Sequence, residues 1–107
     1  MYQIRQEVLR TAHQLKKSGL SFSEAQKKAW ENYRLKSAMH RQPVLFTFRK
    51  VDGTERMALG SLETRYMETV KGTGKASATV TNYFDLERNS WRSFRIENLV
   101  RVNAPAF

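Results

Sequence analysis

Apolar residues recur at helical spacing over roughly the first forty positions and at every second position after Pro43, so the chain divides where the period changes. Between Ile4 and Lys17, the residues Ile4, Val8, Ala12 and Leu15 stand three and four apart and form one apolar stripe, while Arg5, Arg10, Lys16 and Lys17 lie elsewhere on the helix. Gly19 can take the positive φ that ends such a helix. Ser21 and Glu24 fit the S-x-x-E capping box and start a second helix. Its expected buried stripe is Phe22, Ala25, Ala29, Trp30 and Tyr33, with Lys27, Lys28, Arg34 and Lys36 largely facing away. The helix should run to about Met39, because Pro43 disfavours helix at Gln42.

From Val44 the alternation VLFTFRK, the pair Asp52-Gly53 and then TERMALGSL predict a β-hairpin. A two-residue turn at Asp52-Gly53 pairs Arg49 with Arg56, Phe48 with Met57 and Phe46 with Leu59, which puts Phe46, Phe48, Met57 and Leu59 on one face. Glu63 to Ser77 has little periodicity and reads as a loop. The next strand is expected from about Ala78 to Glu87. A three-residue loop at Arg88, Asn89 and Ser90 then pairs Phe84 with Phe94 and Tyr83 with Arg95, which buries the two phenylalanines together and turns Tyr83, Asp85, Ser93 and Arg95 outward. A short closing turn and a strand from Leu99 to Val102 complete the pattern. The expected fold is α+β: a two-helix hairpin, residues 1–43, followed by a five-stranded SH3-like or Sm-like β-barrel, residues 44–107, in one compact domain.

At 107 residues the chain has room for a single core. It has no cysteine, which excludes disulfides, thiolate metal ligands and thiol nucleophiles and makes the cytosol the default compartment. No apolar run approaches the roughly 20 residues of a membrane span, so a soluble protein with no membrane partner is expected. The formal net charge is +9, which favours nucleic acid, an acidic protein surface or anionic lipid as partner and none of them uniquely, although charge also serves solubility alone. Residues 1–43 carry nine Lys or Arg against three Glu, and residues 44–107 carry ten against seven acids. The helical part is the more basic.

Like charges opposed across a strand pair are destabilising unless something neutralises them, so an Arg49–Arg56 pair would be a phosphate-binding feature. A nearby carboxylate from Glu55, Glu63 or Asp85 is the structural alternative. Arg95 and Tyr83, both expected on an outward face, add a guanidinium and a ring able to stack on a base. With Arg92 and the helical Lys27 and Lys28, these are the candidate nucleic-acid contacts. Trp91 reads better as a cover for the open end of the core than as a stacking platform, and Trp30 and Tyr33 as packing that joins helices to barrel. His13 and His40 stand apart from any metal-ligand spacing and read as surface residues. Lys71 to Lys75, KGTGK, lacks the Walker spacing and a following helix, and reads as a flexible loop. There is no Ser-His-Asp set, no nucleophile beside a base and no convincing carboxylate pair, so no catalytic, metal or cofactor site is expected. Helix, glycine turn and helix also describe the DNA-reading helix-turn-helix, but SGLSFSEA is longer than that turn and no three-helix core is visible. A hairpin packed on the barrel or on a partner is the preferred reading.

With these residues in view, Val44 to Val102 resembles the WYL family, in particular its small Sm-like SH3-barrel branch found in phages and gut Bacteroidales. The carriers are FTFRKVDGTERMALGSL, similar to F-x-Y-x-K-x-D-G-x-x-R-x-A-x-G-T, and FDLERNSWRSFRIENLVRV, similar to Y-D-x-x-x-x-x-W-R-x-F-R-L-D-R-I. The resemblance implies an Sm-like barrel, which in larger members binds nucleic acid or nucleotide-like ligands and regulates transcription or defence. It places Arg56, Arg92 and Arg95 at recurrent arginines and Phe94 and Ile96 at core positions. The triplet that names the family corresponds to Thr79, Val80 and Thr81, and the arginine of D-R-I to Asn98, so the ligand pocket differs from the family's. The expectation is a non-enzymatic nucleic-acid-binding or regulatory protein. The alternative is an interaction module, phage-encoded, that docks on an acidic host or virion protein through a sheet edge.

Overall fold

The computed structural model describes residues 2–67 and 79–105. Helix α1 spans Tyr2–Lys17 and α2 spans Phe22–Met39. Gly19 turns between them at φ 113°. Ser21 caps α2 as its spacing to Glu24 implies, accepting from the Glu24 N–H at 3.2 Å, while its own hydroxyl donates to the Glu24 carboxylate at 3.0 Å. Val8, Ala12 and Leu15 of the expected α1 stripe are buried. The side chain of Ile4 lies outside the described residues.

The buried stripe of α2 differs from expectation. It runs Ala25, Ala29, Asn32, Leu35 and Met39, while Phe22 is 44% exposed and rests against His13 on the helical surface. The stripe serves two clusters. Ala25 and Ala29 pack with α1 and with Ile96, and Trp30 and Tyr33 lie half-buried on that cluster. Leu35 and Met39 enter the sheet core beside Phe46, Tyr83 and Phe94. The helical hairpin therefore packs on the sheet, and its lower half supplies part of the sheet's interior.

Five antiparallel strands follow: β1 Val44–Arg49, β2 Glu55–Ser61, β3 Val80–Asp85, β4 Ser90–Arg95 and β5 Leu99–Pro105. Their order is β4-β3-β2-β1-β5, so β4 and β5 are the edges and the sheet is open rather than closed by ladder bonds among the described residues. A 3-10 turn at Ile96–Asn98 joins β4 to β5, where a short closing turn is expected. Between β2 and β3, Thr64–Met67 forms a short helix, α3, within the stretch expected as loop. Lys71 to Lys75 lies outside the described residues. His13 and His40 are exposed, as expected of surface histidines. No helix among the described residues is long and apolar enough to cross a membrane.

Both hairpin registers depart from those expected, and the turns explain why. In the first hairpin the Lys50 N–H donates to Thr54 O at 2.7 Å and the Gly53 N–H to Lys50 O at 2.9 Å, with Gly53 at φ 92°. This is a three-residue loop, a type I turn followed by a left-handed glycine, not a two-residue turn centred on Asp52-Gly53. Asp52 strengthens it by accepting from the Thr54 N–H at 3.0 Å and hydroxyl at 2.6 Å, bonds that hold its carboxyl below the usual range. The register moves by one residue, so Arg49 faces Glu55, Phe48 faces Arg56 and Phe46 faces Ala58. A one-residue slip exchanges the faces of a strand. Arg56, Ala58 and Gly60 thus point inward, and Met57 is 52% exposed.

In the second hairpin Asp85 pairs with Ser90 across a four-residue loop, Phe84 pairs with Trp91 and Tyr83 with Arg92. One Asp85 oxygen accepts from the Glu87 and Arg88 N–H groups, each at 3.0 Å, and Asn89 takes φ 52°, which asparagine tolerates better than most residues. Tyr83 consequently points into the core, edge-on to Phe46 at 5.1 Å, and Phe84 turns to the opposite face, where it stacks on Tyr66 at 4.5 Å and meets the edge of Trp91 at 5.7 Å. The expected pairing of Phe84 with Phe94 does not form. Gly60 makes room for this packing: a Cβ there would lie 2.8 Å from Tyr83 Cδ2 and 3.0 Å from Phe46 Cε1.

Candidate nucleic-acid interface

The inward turn of β2 places the Arg56 guanidinium over β3. It donates to Asp85 at 2.6 Å, with the Asp85 side chain fully buried and that of Arg56 17% exposed. The opposed Arg49–Arg56 pair therefore does not exist. Each arginine has a carboxylate instead, Arg49 an exposed one in Glu55 at 3.6 Å. Glu55 is also 4.0 Å from Arg101 on β5, so Arg49, Glu55 and Arg101 make a loose surface network. Such exposed pairs contribute little to stability, whereas the Asp85–Arg56 pair is tied to the core.

Tyr83 is fully buried, which corrects its expected outward position and removes it as an exposed stacking platform. Its hydroxyl has no hydrogen-bond partner among the described residues. Burial, reinforced by the nearby Asp85 carboxylate, pushes its ionisation upward, so it remains a neutral donor.

Although both expected hairpin registers fail, the turn between β1 and β2 gathers the candidate arginines. On one side of it a cleft of about 720 Å³ is lined by Phe48, Lys50, Arg56, Tyr83, Trp91 and Arg92, among others. On the other side a smaller cleft of about 220 Å³ includes Arg49, Lys50, Arg95 and Asn98. The two share Phe48, Lys50, Val51 and Ser93. Arg92 and Arg95 form no ion pair among the described residues. Lys27 and Lys28 line neither cleft. Lys27 is exposed on α2, and the ammonium of Lys28 donates to the Leu99 carbonyl, where it links α2 to β5.

Lys50 belongs to both clefts and was absent from the sequence-based candidates; its place beside the Asp52-Gly53 turn was the available signal. Asp85 was expected on the outer face, and nothing in the alternation marked it as a buried partner for Arg56.

A family model described as WYL_2, Sm-like SH3 beta-barrel fold, matches residues 32–100, well over half of the chain. The chain belongs to the WYL_2 family. A relative in Enterobacteria phage T4, an uncharacterised 11.5 kDa protein of the Gp31-cd intergenic region, is 36% identical over 62 residues, covering 52% of this chain and 61% of the relative. The match thus spans about three-fifths of that relative. No solved structure matches the chain.

The WYL_2 match begins at Asn32, inside α2, and includes Leu35 and Met39, the α2 residues that enter the sheet core. Asn32 is itself buried. Thr81 is buried on the inner face and its hydroxyl donates to Asn32 Oδ1, a polar pair satisfied inside the fold. Asn98 borders the smaller cleft.

Proposed function

We propose that this WYL_2 protein is a non-enzymatic nucleic-acid-binding protein that engages the phosphate backbone along the two clefts flanking the β1–β2 turn. In this reading the open sheet curls as the Sm-like barrel of its family, and the clefts lie at its mouth. The observation that carries the proposal is the convergence of Arg49, Lys50, Arg56, Arg92 and Arg95 on these adjoining clefts, with Arg92 and Arg95 unpaired among the described residues. Guanidinium groups donate in a planar fork suited to phosphate, and a strand crossing both clefts could meet several in succession. The overall charge of +9 adds long-range attraction.

The test is fluorescence anisotropy with labelled single- and double-stranded oligonucleotides over a range of salt. Affinity should fall steeply as salt rises, and Arg92→Ala and Arg95→Ala should each reduce the slope of log K against log salt by about 0.7–0.9. Absence of binding at low salt would remove the reading.

A second reading has its own support. Strands β4 and β5 are both edges, and Val51 at the tip of the β1–β2 turn is 91% exposed, features that suit strand addition by an acidic protein partner of a phage-encoded module. Retention of one acidic protein from nuclease-treated lysate, with no oligonucleotide binding, would favour it.

A further inference from the structure

We propose that the smaller cleft seats the terminal phosphate of a nucleic-acid strand, a phosphomonoester, so that the protein prefers phosphorylated strand ends to hydroxyl ends. This rests on the nucleic-acid reading above and adds to it where along a strand the protein sits.

The size of the two clefts is the first observation. At about 720 Å³ the larger lies within the roughly 300–1,000 Å³ of small-ligand sites, whereas the smaller, at about 220 Å³, falls below that range. It suits a single compact group better than a base with its sugar. Phe48 and Phe94 line it and belong to the packed sheet core, so the cleft is backed by side chains. Because the two clefts share Phe48, Lys50, Val51 and Ser93, a strand lying in the larger can bring its end group to the smaller.

The polar lining is the second. Arg49, Lys50, Ser93, Arg95 and Asn98 can each present a donor, and no carboxylate lines this cleft, whereas Asp52 lines the larger. Ser93 and Asn98 also carry lone pairs, but each can meet an acceptor-only ligand with a hydrogen. Two carboxylates compete from outside the cleft. Glu55 is 3.6 Å from Arg49 in a pair exposed on both sides, which an anion can displace at little cost, and Asp52 feels the charge of Lys50. Arg95 forms no ion pair among the described residues, and although it stands at the N-cap of the 3-10 turn its side chain makes no capping bond. A terminal phosphomonoester carries about −1.5 to −2 charge at pH 7 and three acceptor oxygens, against the single charge of an internal diester. Three cations around one small volume with no acid in its lining match the monoester.

The experiment uses anisotropy with internally labelled single-stranded DNA of one sequence in three forms: 5′-phosphorylated, 3′-phosphorylated and hydroxyl at both ends. A hydroxyl-ended strand two nucleotides longer supplies the added charge without the monoester. Wild type should bind one of the phosphorylated forms about tenfold tighter than either hydroxyl strand, as charge-assisted hydrogen bonds imply. Arg95→Ala should bring that ratio close to one. Arg92→Ala, a residue of the larger cleft alone, should weaken all the strands alike and keep the ratio. Both arginines are exposed, so both variants should keep the wild-type circular dichroism. Equal binding of the phosphorylated strands and the longer hydroxyl strand would overturn the proposal, and a steep salt slope alongside would leave the nucleic-acid reading standing. An advantage that survives in Arg95→Ala would overturn the assignment to the smaller cleft. No binding of any strand at low salt would overturn both readings.

Discussion

Reversing Arg56 to glutamate separates two pictures of this protein by the sign of one number. With Arg49 and Arg56 opposed, Arg56→Glu would relieve a repulsion and stabilise the fold by roughly 0.2–1 kcal/mol. In the structure Arg56 is the cation beside Asp85, whose side chain is fully buried. Removing one partner of a buried pair costs about 3–5 kcal/mol, because the other charge stays desolvated without its counter-ion. The two backbone N–H bonds that Asp85 keeps, and the 17% exposure of Arg56, pull towards the lower end, whereas a second carboxylate pulls upward, so about 4 kcal/mol is expected. Domains of this size have only about 5–15 kcal/mol in all. Urea unfolding followed by tryptophan fluorescence should therefore show the midpoint falling by about 2 M at a typical slope. A double-mutant cycle with Arg56→Met and Asp85→Asn isolates the pair, and the double variant should be more stable than the sum of the singles implies by about 1–3 kcal/mol. An Arg56→Glu protein with wild-type stability would mean that Asp85 does not depend on this arginine.

Gly60→Ala should cost about 1–3 kcal/mol in the same assay, since its Cβ would meet two aromatic rings in a filled core. Deleting residues 1–41 should leave the remaining strands unfolded by circular dichroism, because it removes Leu35 and Met39 from the sheet core, and a cooperative thermal transition in that fragment would refute the shared core. The raised ionisation of Tyr83 means that its neutral form is favoured by folding, a contribution that is complete below the unfolded value near 10.0 and lost as pH climbs through the higher folded value. Wild type should thus lose stability above about pH 10 more steeply than Tyr83→Phe, as measured by urea midpoints across that range.

The two helices, the position of their joint, the first strand and the tight turns were legible because each rests on local chemistry: period, capping and glycine. Register was not, because it depends on how many residues a turn consumes. Asp52-Gly53 fits a two-residue turn by composition, but the Asp52 bonds to Thr54 and the left-handed Gly53 select three. The second hairpin failed similarly. Burying Phe84 with Phe94 is a sound packing preference, yet Asp85 caps its own turn and Tyr66 of α3 covers Phe84 from the other face. Since α3 carries no helical period long enough to see, its cover was invisible. Arg92 and Arg95 reached the clefts despite these errors because both lie on β4 next to the exposed β1–β2 turn. Tyr83 did not stay outside, as its orientation followed the register.

The three-residue turn between β1 and β2 has a consequence for how this protein can change over time. Substitutions at Val51, which is 91% exposed, should be tolerated freely. Loss or gain of a single residue there should not, since it would bring Met57 and Leu59 inward, expel Ala58 and Gly60, and carry Arg56 away from Asp85 in one event. Diversity at this turn is therefore expected as changes of residue at constant length, with new side chains offered to both clefts at once while the count of positions between Arg49 and Glu55 stays fixed.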